Sequence, residues 1–253
     1  SNMKRWLSRF RLKSDVWVYV PTNDALKYGQ RIAGALLAKW PAPDYYYHLL
    51  PGGHVEALRS HASSKFFIKA DVHRFFNSIN RSRITRVLKR FYSYKEAREI
   101  ACLSTVPIFN DGGKKYVLPF GFSQSQILSS ICFRESKLGG YLNSLVDLGL
   151  VISVYVDDII ISGEDEQELN EILNKLQACA ESSGFRLNAE KTVGPAEFVT
   201  AFNIFLDRGV LRISEGRMNA FKLALMAADS EAQVKGILGY VASVNEHQLV
   251  ELQ

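Results

Sequence analysis

Three acidic residues sit where metal-dependent chemistry could use them. Asp157 and Asp158 are adjacent between two β-branched runs, 151–156 (VISVYV) and 159–162 (IIIS). Acids are depleted inside strands and β-branched residues favour them, so the pair is expected at the tip of a tight hairpin. Ordinary tips take Asn-Gly or Asp-Gly because the favoured turns need positive φ, and this one supplies no glycine. Two carboxylates side by side repel, which raises one pKa unless a cation offsets them. The alternative is a plain solvated turn. The third acid, Asp71, ends the alternating segment 65–72, in which Phe66, Ile68, Ala70 and Val72 share one face and Phe67, Lys69 and Asp71 the other. A carboxylate there is costly unless it is exposed or neutralised.

The elements that must position these acids read as strand, helix, acid-tipped hairpin, helix, return strand. That order is the split βαβ pattern of an antiparallel sheet with helices on one face, and it would let Asp71 and Asp157 meet. Two carboxylates bridging two Mg²⁺ ions roughly 3.5 to 4 Å apart can activate a 3′-hydroxyl and stabilise a leaving pyrophosphate. Mg²⁺ suits oxygen ligands and keeps substrate phosphates in its shell.

Around this centre, residues 3–20 are basic and aromatic, with a short strand at 17–20. Apolar spacing predicts a helix over 24–40 that Pro41 and Pro43 stop. A turn at Pro51-Gly52-Gly53 precedes a short helix over 55–61. From Ser82 a helix places Ile84, Val87, Leu88 and Phe91 on one side and Arg83, Arg86, Lys89 and Arg90 on the other; that basic face either tracks a phosphate backbone or faces water. A hairpin turns at 110–113, and a loop at 119–124 leads into a helix reaching Asn143. A further helix begins near Asp165 and ends at Gly184, a hairpin turns at Asp207-Arg208-Gly209, and two helices (215–228 and 231–244) follow.

With 253 residues the chain can bury a sizeable core, as one compound domain or two small ones. The 47% hydrophobic and 23% charged composition is globular, and no run nears the roughly 18 apolar residues of a membrane span. A net charge of +5 and a pI near 9.0 mildly favour polyanionic partners. Cys102, Cys132 and Cys179 are far apart without Cys-x-x-Cys spacing, which argues against disulfides or structural zinc and makes a reducing cytoplasm the expectation. His48, His54 and His61 lack metal-ligand spacing and read as structural or surface residues. Ser1-Asn2 before Met3 reads as a remnant of tag cleavage, and no signal peptide follows.

Several motifs in order resemble the reverse transcriptase family, closest to the bacterial retron, group II intron and phage-defence types, over about 66–211 with a weaker tail to 245. Asp71-Val72-His73-Arg74-Phe75-Phe76 resembles the first palm motif, which implies Asp71 as a metal ligand, Val72 as a backbone-carbonyl ligand and Phe76 as the gate against a ribose 2′-hydroxyl. Residues 118–125 resemble the second motif and imply Phe120, Gly121 and Gln124 in the nucleotide pocket, although Phe120 and Gln126 stand where the family usually carries Gln and Pro. Tyr155-Val156-Asp157-Asp158 is the family's YxDD turn, with Tyr155 beside the nucleotide. Gly184-Phe185-Arg186-Leu187-Asn188 with Lys191-Thr192 is similar to the fourth motif and implies Lys191 near the triphosphate. Residues 201–206 resemble the primer grip, with Phe202, Asn203 and Phe205. For the basic fingers motif, Lys27 and Arg31 are weak candidates.

The resemblance implies an α+β, right-hand polymerase with a ferredoxin-like antiparallel palm sheet. Fingers are expected at 1–64 and 83–118, palm at 65–82 and 119–206, and a short helical thumb at 207–253. It implies RNA-directed DNA polymerase activity with Mg²⁺ or Mn²⁺, on an RNA template with a DNA or RNA primer and dNTPs, with a noncoding RNA or partner protein as further partners, no membrane, and a place in phage defence. Untemplated, self-primed or protein-primed DNA synthesis, a catalytically silent scaffold and a nucleotidyl cyclase on the same palm are the alternatives.

Overall fold

The β-branched segments around the acids form strands in the computed structural model, which describes residues 4–253; the tag-like Ser1-Asn2 and Met3 lie outside the described residues. In chain order the elements are β1 (Trp6–Lys13), β2 (Val16–Pro21), α1 (Asn23–Lys39), α2 (Gly53–Arg59), β3 (Phe66–Asp71), α3 (Arg81–Leu88), α4 (Tyr94–Leu103), β4 (Val106–Asn110), β5 (Gly113–Val117), α5 (Ser125–Glu135) and α6 (Lys137–Asp147). They continue as β6 (Val151–Tyr155), β7 (Asp158–Gly163), α7 (Glu166–Ser182), β8 (Val193–Ala196), β9 (Phe198–Ala201), β10 (Ile204–Asp207), β11 (Val210–Ile213), α8 (Glu215–Met226) and α9 (Glu231–Val244).

Two compact units share the chain. One gathers the chain up to Pro43, Val72–Asn143 and Leu176–Leu187; the other gathers Asp44–Asp71, Ser144–Lys175 and Asn188–Gln253. The second unit holds a four-stranded antiparallel sheet in the order β6-β7-β3-β8 and a three-stranded sheet in the order β11-β10-β9. Its core joins Val55 and Leu58 of α2 and Phe67 of β3 to Val199, Leu206 and Leu211 of the smaller sheet and to Phe221 and Val241 of the last two helices. In the first unit, Phe75, Phe133 and Phe185 form an aromatic trio with ring centroids 5.7 to 6.2 Å apart.

The observed elements depart from the sequence expectations in five places. The hairpin tip is Val156-Asp157, because Tyr155 pairs with Asp158; the tip is therefore one residue earlier than the Asp157-Asp158 expected. The helix expected to run unbroken to Asn143 stops at Ser136, whose hydroxyl accepts the Gly139 N–H at 3.1 Å and restarts the chain as α6. α4 has no counterpart among the expected elements, although Ser93 and Glu96 form a capping box that its Ser-x-x-Glu spacing announces. β1 joins the short strand expected at 17–20 in a hairpin, with Arg9 stacked on Trp17 at 4.5 Å. The hairpin expected over 198–213 gains a third strand through a two-residue turn at Phe202-Asn203, both with positive φ.

Candidate active site

Asp71 and Asp158 are direct partners on β3 and β7, and Tyr155 faces Asp158 from β6, so the three side chains form a row on one face of the sheet. Asp157 follows Val156 in the turn. Asp71 is 6% exposed, and its Oδ1 is buried without a hydrogen-bond partner. Lys191 Nζ lies 3.8 Å from Asp71 Oδ2 and is otherwise open to solvent. Burial, reinforced by Asp158 and Asp71, pushes the Asp157 carboxyl up to about 7. Burial also raises Asp158, while the ammonium groups of Lys69 and Lys191 act the other way. Lys69 lies on the same face as Asp71, two residues before it, and donates to the Thr200 carbonyl at 3.1 Å. Sequence reading gave this lysine no role; its period-2 relation to Asp71 was the available signal.

The turn is held in an unfavourable backbone conformation. Val156 has φ +57° and Asp157 does not share the positive sign, the pattern of a type II′ turn, whose first central position prefers glycine. A β-branched residue there costs on the order of 1–3 kcal/mol and persists only where the surroundings impose it. One such constraint is His48, whose Nδ1 accepts the Val156 N–H at 2.9 Å. Burial lowers the His48 pKa to about 4, which keeps the ring neutral and Nδ1 free to accept. The expectation of a structural histidine did not anticipate a contact with the acid-bearing turn. From Tyr155 an aromatic chain continues to Phe202 (centroids 5.4 Å apart), to His54 (5.3 Å) and, through a 2.8 Å hydrogen bond, to the Tyr240 hydroxyl. The turn and the β9–β10 turn are thereby packed together. The Asn203 carbonyl accepts the Ser214 N–H at 2.7 Å, and Phe205 packs on Phe198 at 5.4 Å.

The other expected site residues belong to the first unit. Val72 is buried and bridges Leu187. Phe76 is buried and its ring lies 4.6 Å from that of Phe120, which is 41% exposed. Gly121 has φ +104°, and a Cβ there would meet the Tyr19 carbonyl at 2.0 Å, so the close approach requires glycine. Gln124 is buried; its Nε2 donates to Ser104 Oγ at 3.2 Å, and its side chain fills the space a Cβ on Gly29 would need. Its amide is thus engaged inside the unit.

Among the described residues, no three His, Cys, Asp or Glu side chains are gathered as a ready-made metal cage. The donor set nonetheless fits a hard cation that completes its shell with substrate and water oxygens: Asp71 offers an orphaned buried oxygen, and the crowded carboxyls of Asp157 and Asp158 stay raised by burial despite the ammonium groups nearby.

An acid-bearing antiparallel sheet of this strand order, with helices and a second small sheet attached, is the architecture of a polymerase palm. The sequence profile described as reverse transcriptase (RNA-dependent DNA polymerase) matches residues 22–205, and the chain belongs to that family. The retron Mx65 reverse transcriptase of Myxococcus xanthus is 24% identical over 88% of this chain, which spans 57% of that protein's length. The retron Ec73 reverse transcriptase of Escherichia coli is 21% identical, over 93% of this chain and 81% of its own. Among solved structures, apo telomerase from Candida tropicalis matches with a TM-score of 0.56 at 12% identity, covering 93% of this chain and 56% of that one. A foamy viral protease-reverse transcriptase in complex with double-stranded DNA matches with a TM-score of 0.50 at 18% identity, covering 91% and 34%. At these identities the structural likeness is one of fold. Among the described residues, no helix is long and apolar enough to cross a membrane.

Proposed function

We propose that this chain is an RNA-directed DNA polymerase that joins dNMPs to a primer 3′-hydroxyl on an RNA template. Asp71 and Asp157 are the principal metal ligands, with Asp158 supporting them and Val72 contributing its carbonyl. The observation that carries this reading is the orphaned, buried Oδ1 of Asp71 on the strand position opposite Asp158. Membership of the reverse transcriptase family supports it.

Mg²⁺, or Mn²⁺ in its place, supplies Lewis acidity toward the primer hydroxyl and neutralises charge on the leaving pyrophosphate when bound. The chain's own residues do the rest. The strand ladder holds Asp71 and Asp158 side by side, so their negative charge is concentrated where a cation would be held. Lys191, solvent-exposed on its outer side and near Asp71, supplies a mobile cation for the departing phosphates. By their places in the family motifs, Phe76 excludes a ribose 2′-hydroxyl, Phe120, Gly121, Gln124 and Tyr155 line the nucleotide pocket, and Phe202, Asn203 and Phe205 hold the primer end. The fingers, palm and thumb partition at 1–64 with 83–118, 65–82 with 119–206, and 207–253 belongs to the same proposal.

Extension of a DNA primer on an RNA template with labelled dNTPs and Mg²⁺ tests the reading. Asp157→Asn is expected to lower the rate at least about 100-fold, because transition-state charge loses several kcal/mol of stabilisation. Extension that survives the substitution, or no extension by the parent protein with any primer, template or divalent metal, would overturn it.

A further inference from the structure

The first unit contains a cleft of about 280 Å³ that none of the motif residues lines. Its walls carry Arg83 and Arg86 of α3, Arg90 in the turn just beyond that helix and Lys137 at the start of α6, against one carboxylate, Glu135. Arg90 is already ion-paired with Glu135. Arg83 is fixed from two sides: its Nη2 donates to the Ser183 carbonyl, and its guanidinium lies 4.6 Å from the centroid of the Phe185 ring. Its Nη1 is buried with no hydrogen-bond partner, an arrangement that leaves a guanidinium donor unsatisfied. Burial lowers the Arg83 pKa, and the nearby Arg86 adds to the effect. Arg86 and Lys137 are exposed, and no described carboxylate pairs with either. α6 also has no acid in its first turn, and Lys137 stands at the positive end of the helix dipole.

Uncompensated cations around a preorganised guanidinium make an anion site, and the layout favours a chain of anions over one. Arg83 and Arg86 fall at i and i+3 on α3, about 4.5 Å apart along its axis, and Lys137 lines the same cleft from α6, with Arg90 held by Glu135 in the turn beyond α3. A single phosphate would engage part of that set; successive phosphates of one strand can engage Arg83, Arg86 and Lys137 together.

We infer that the cleft between α3 and the start of α6 binds the phosphate backbone of a single nucleic-acid strand, at a site built from residues other than those of the acid row. This rests on the chain's handling nucleic acid and not on its polymerising it. The test therefore omits metal and dNTPs, and a failure of catalysis leaves it standing.

Binding of a 5′-labelled, unstructured 20-nucleotide RNA to the full chain is followed by anisotropy at several salt concentrations. In the Arg86→Gln/Lys137→Gln double variant, binding weakens, and the log-log salt slope becomes shallower by about 1.4, or about 0.7 for each single-strand phosphate that is no longer neutralised. Both residues are exposed, and an unchanged Tm confirms the fold. Lys95→Gln/Arg98→Gln on α4 removes the same charge elsewhere and is expected to shift the slope by much less. Equal shifts in the two double variants would overturn the inference, as would an unchanged slope in the cleft variant. A competition arm with tripolyphosphate separates the sources of phosphate: loss of tripolyphosphate binding with RNA binding intact would assign the cleft to a free phosphate chain and overturn the strand reading.

Discussion

Val156 is the residue at which local preference and function conflict. A valine with φ +57° gives up stability that glycine would retain, although glycine adds unfolded-state entropy of its own. Val156→Gly is therefore expected to leave stability unchanged or raise it by about 0.5–1 kcal/mol in urea denaturation. A loss above about 1 kcal/mol would show that the valine side chain contributes more through packing than its backbone costs. Phe76 bears on the proposed chemistry instead. If its buried ring, packed on Phe120, is the proposed gate against a 2′-hydroxyl, Phe76→Ala should admit ribonucleotides. Comparing dNTP and rNTP incorporation for the parent and the variant checks this, and an unchanged ratio would remove Phe76 from the gate.

At the scale of elements, the acid-bearing hairpin is anchored by a buried polar network. His61, just beyond α2, is fully buried; its Nδ1 lies 2.6 Å from Ser162 Oγ on β7 and its Nε2 lies 2.8 Å from Ser153 Oγ on β6. Ser162 Oγ also donates to Ser64 Oγ at 2.8 Å. Because neutral imidazole has one donor and one acceptor nitrogen, the two serine hydroxyls must take complementary roles. Burial lowers the His61 pKa to about 3, against about 6.5 for an unfolded histidine. Between those values only the unfolded chain binds the proton. The contribution is thus complete above pH 6.5 and falls away as the pH drops toward 3, with a limiting slope of about 1.4 kcal/mol per pH unit. His61→Gln should flatten that component in urea titrations at pH 5 and pH 8, and should cost about 1–3 kcal/mol at pH 8 from disrupted buried hydrogen bonds. The same difference in stability between the two pH values in the parent and in His61→Gln would contradict this account.

At the scale of the whole molecule, each compact unit depends on chain that is synthesised late. β3 ends at Asp71, but its ladder partners are β7 and β8, and in the other unit Phe185 completes the cluster with Phe75 and Phe133. A fragment ending at Gly149 lacks all of these and is expected to show no cooperative urea transition, whereas the full chain does. A cooperative transition in the fragment would show that early segments fold without their late partners.

Much of this arrangement was legible from residue order alone. β-branching and period-2 alternation act over a few neighbours, so they revealed the hairpin around the acids, the strand ending in Asp71 and the helices before and after them. The family motifs placed the acids in one constellation because their succession is a property of the chain itself. What remained hidden depended on contacts distant in sequence. That Asp71 faces Asp158, not Asp157, is a matter of register, and a slip of one residue would turn the side chain to the opposite face. His48 holds the turn from 108 residues away, and nothing in its neighbours announces that bond. The sequence alone determined which residue types could do the chemistry and which local elements carry them. Only the tertiary structure decided which oxygen is left unpaired, which backbone is strained and which arginines face an open cleft, because those outcomes depend on burial and on packing summed over the whole fold.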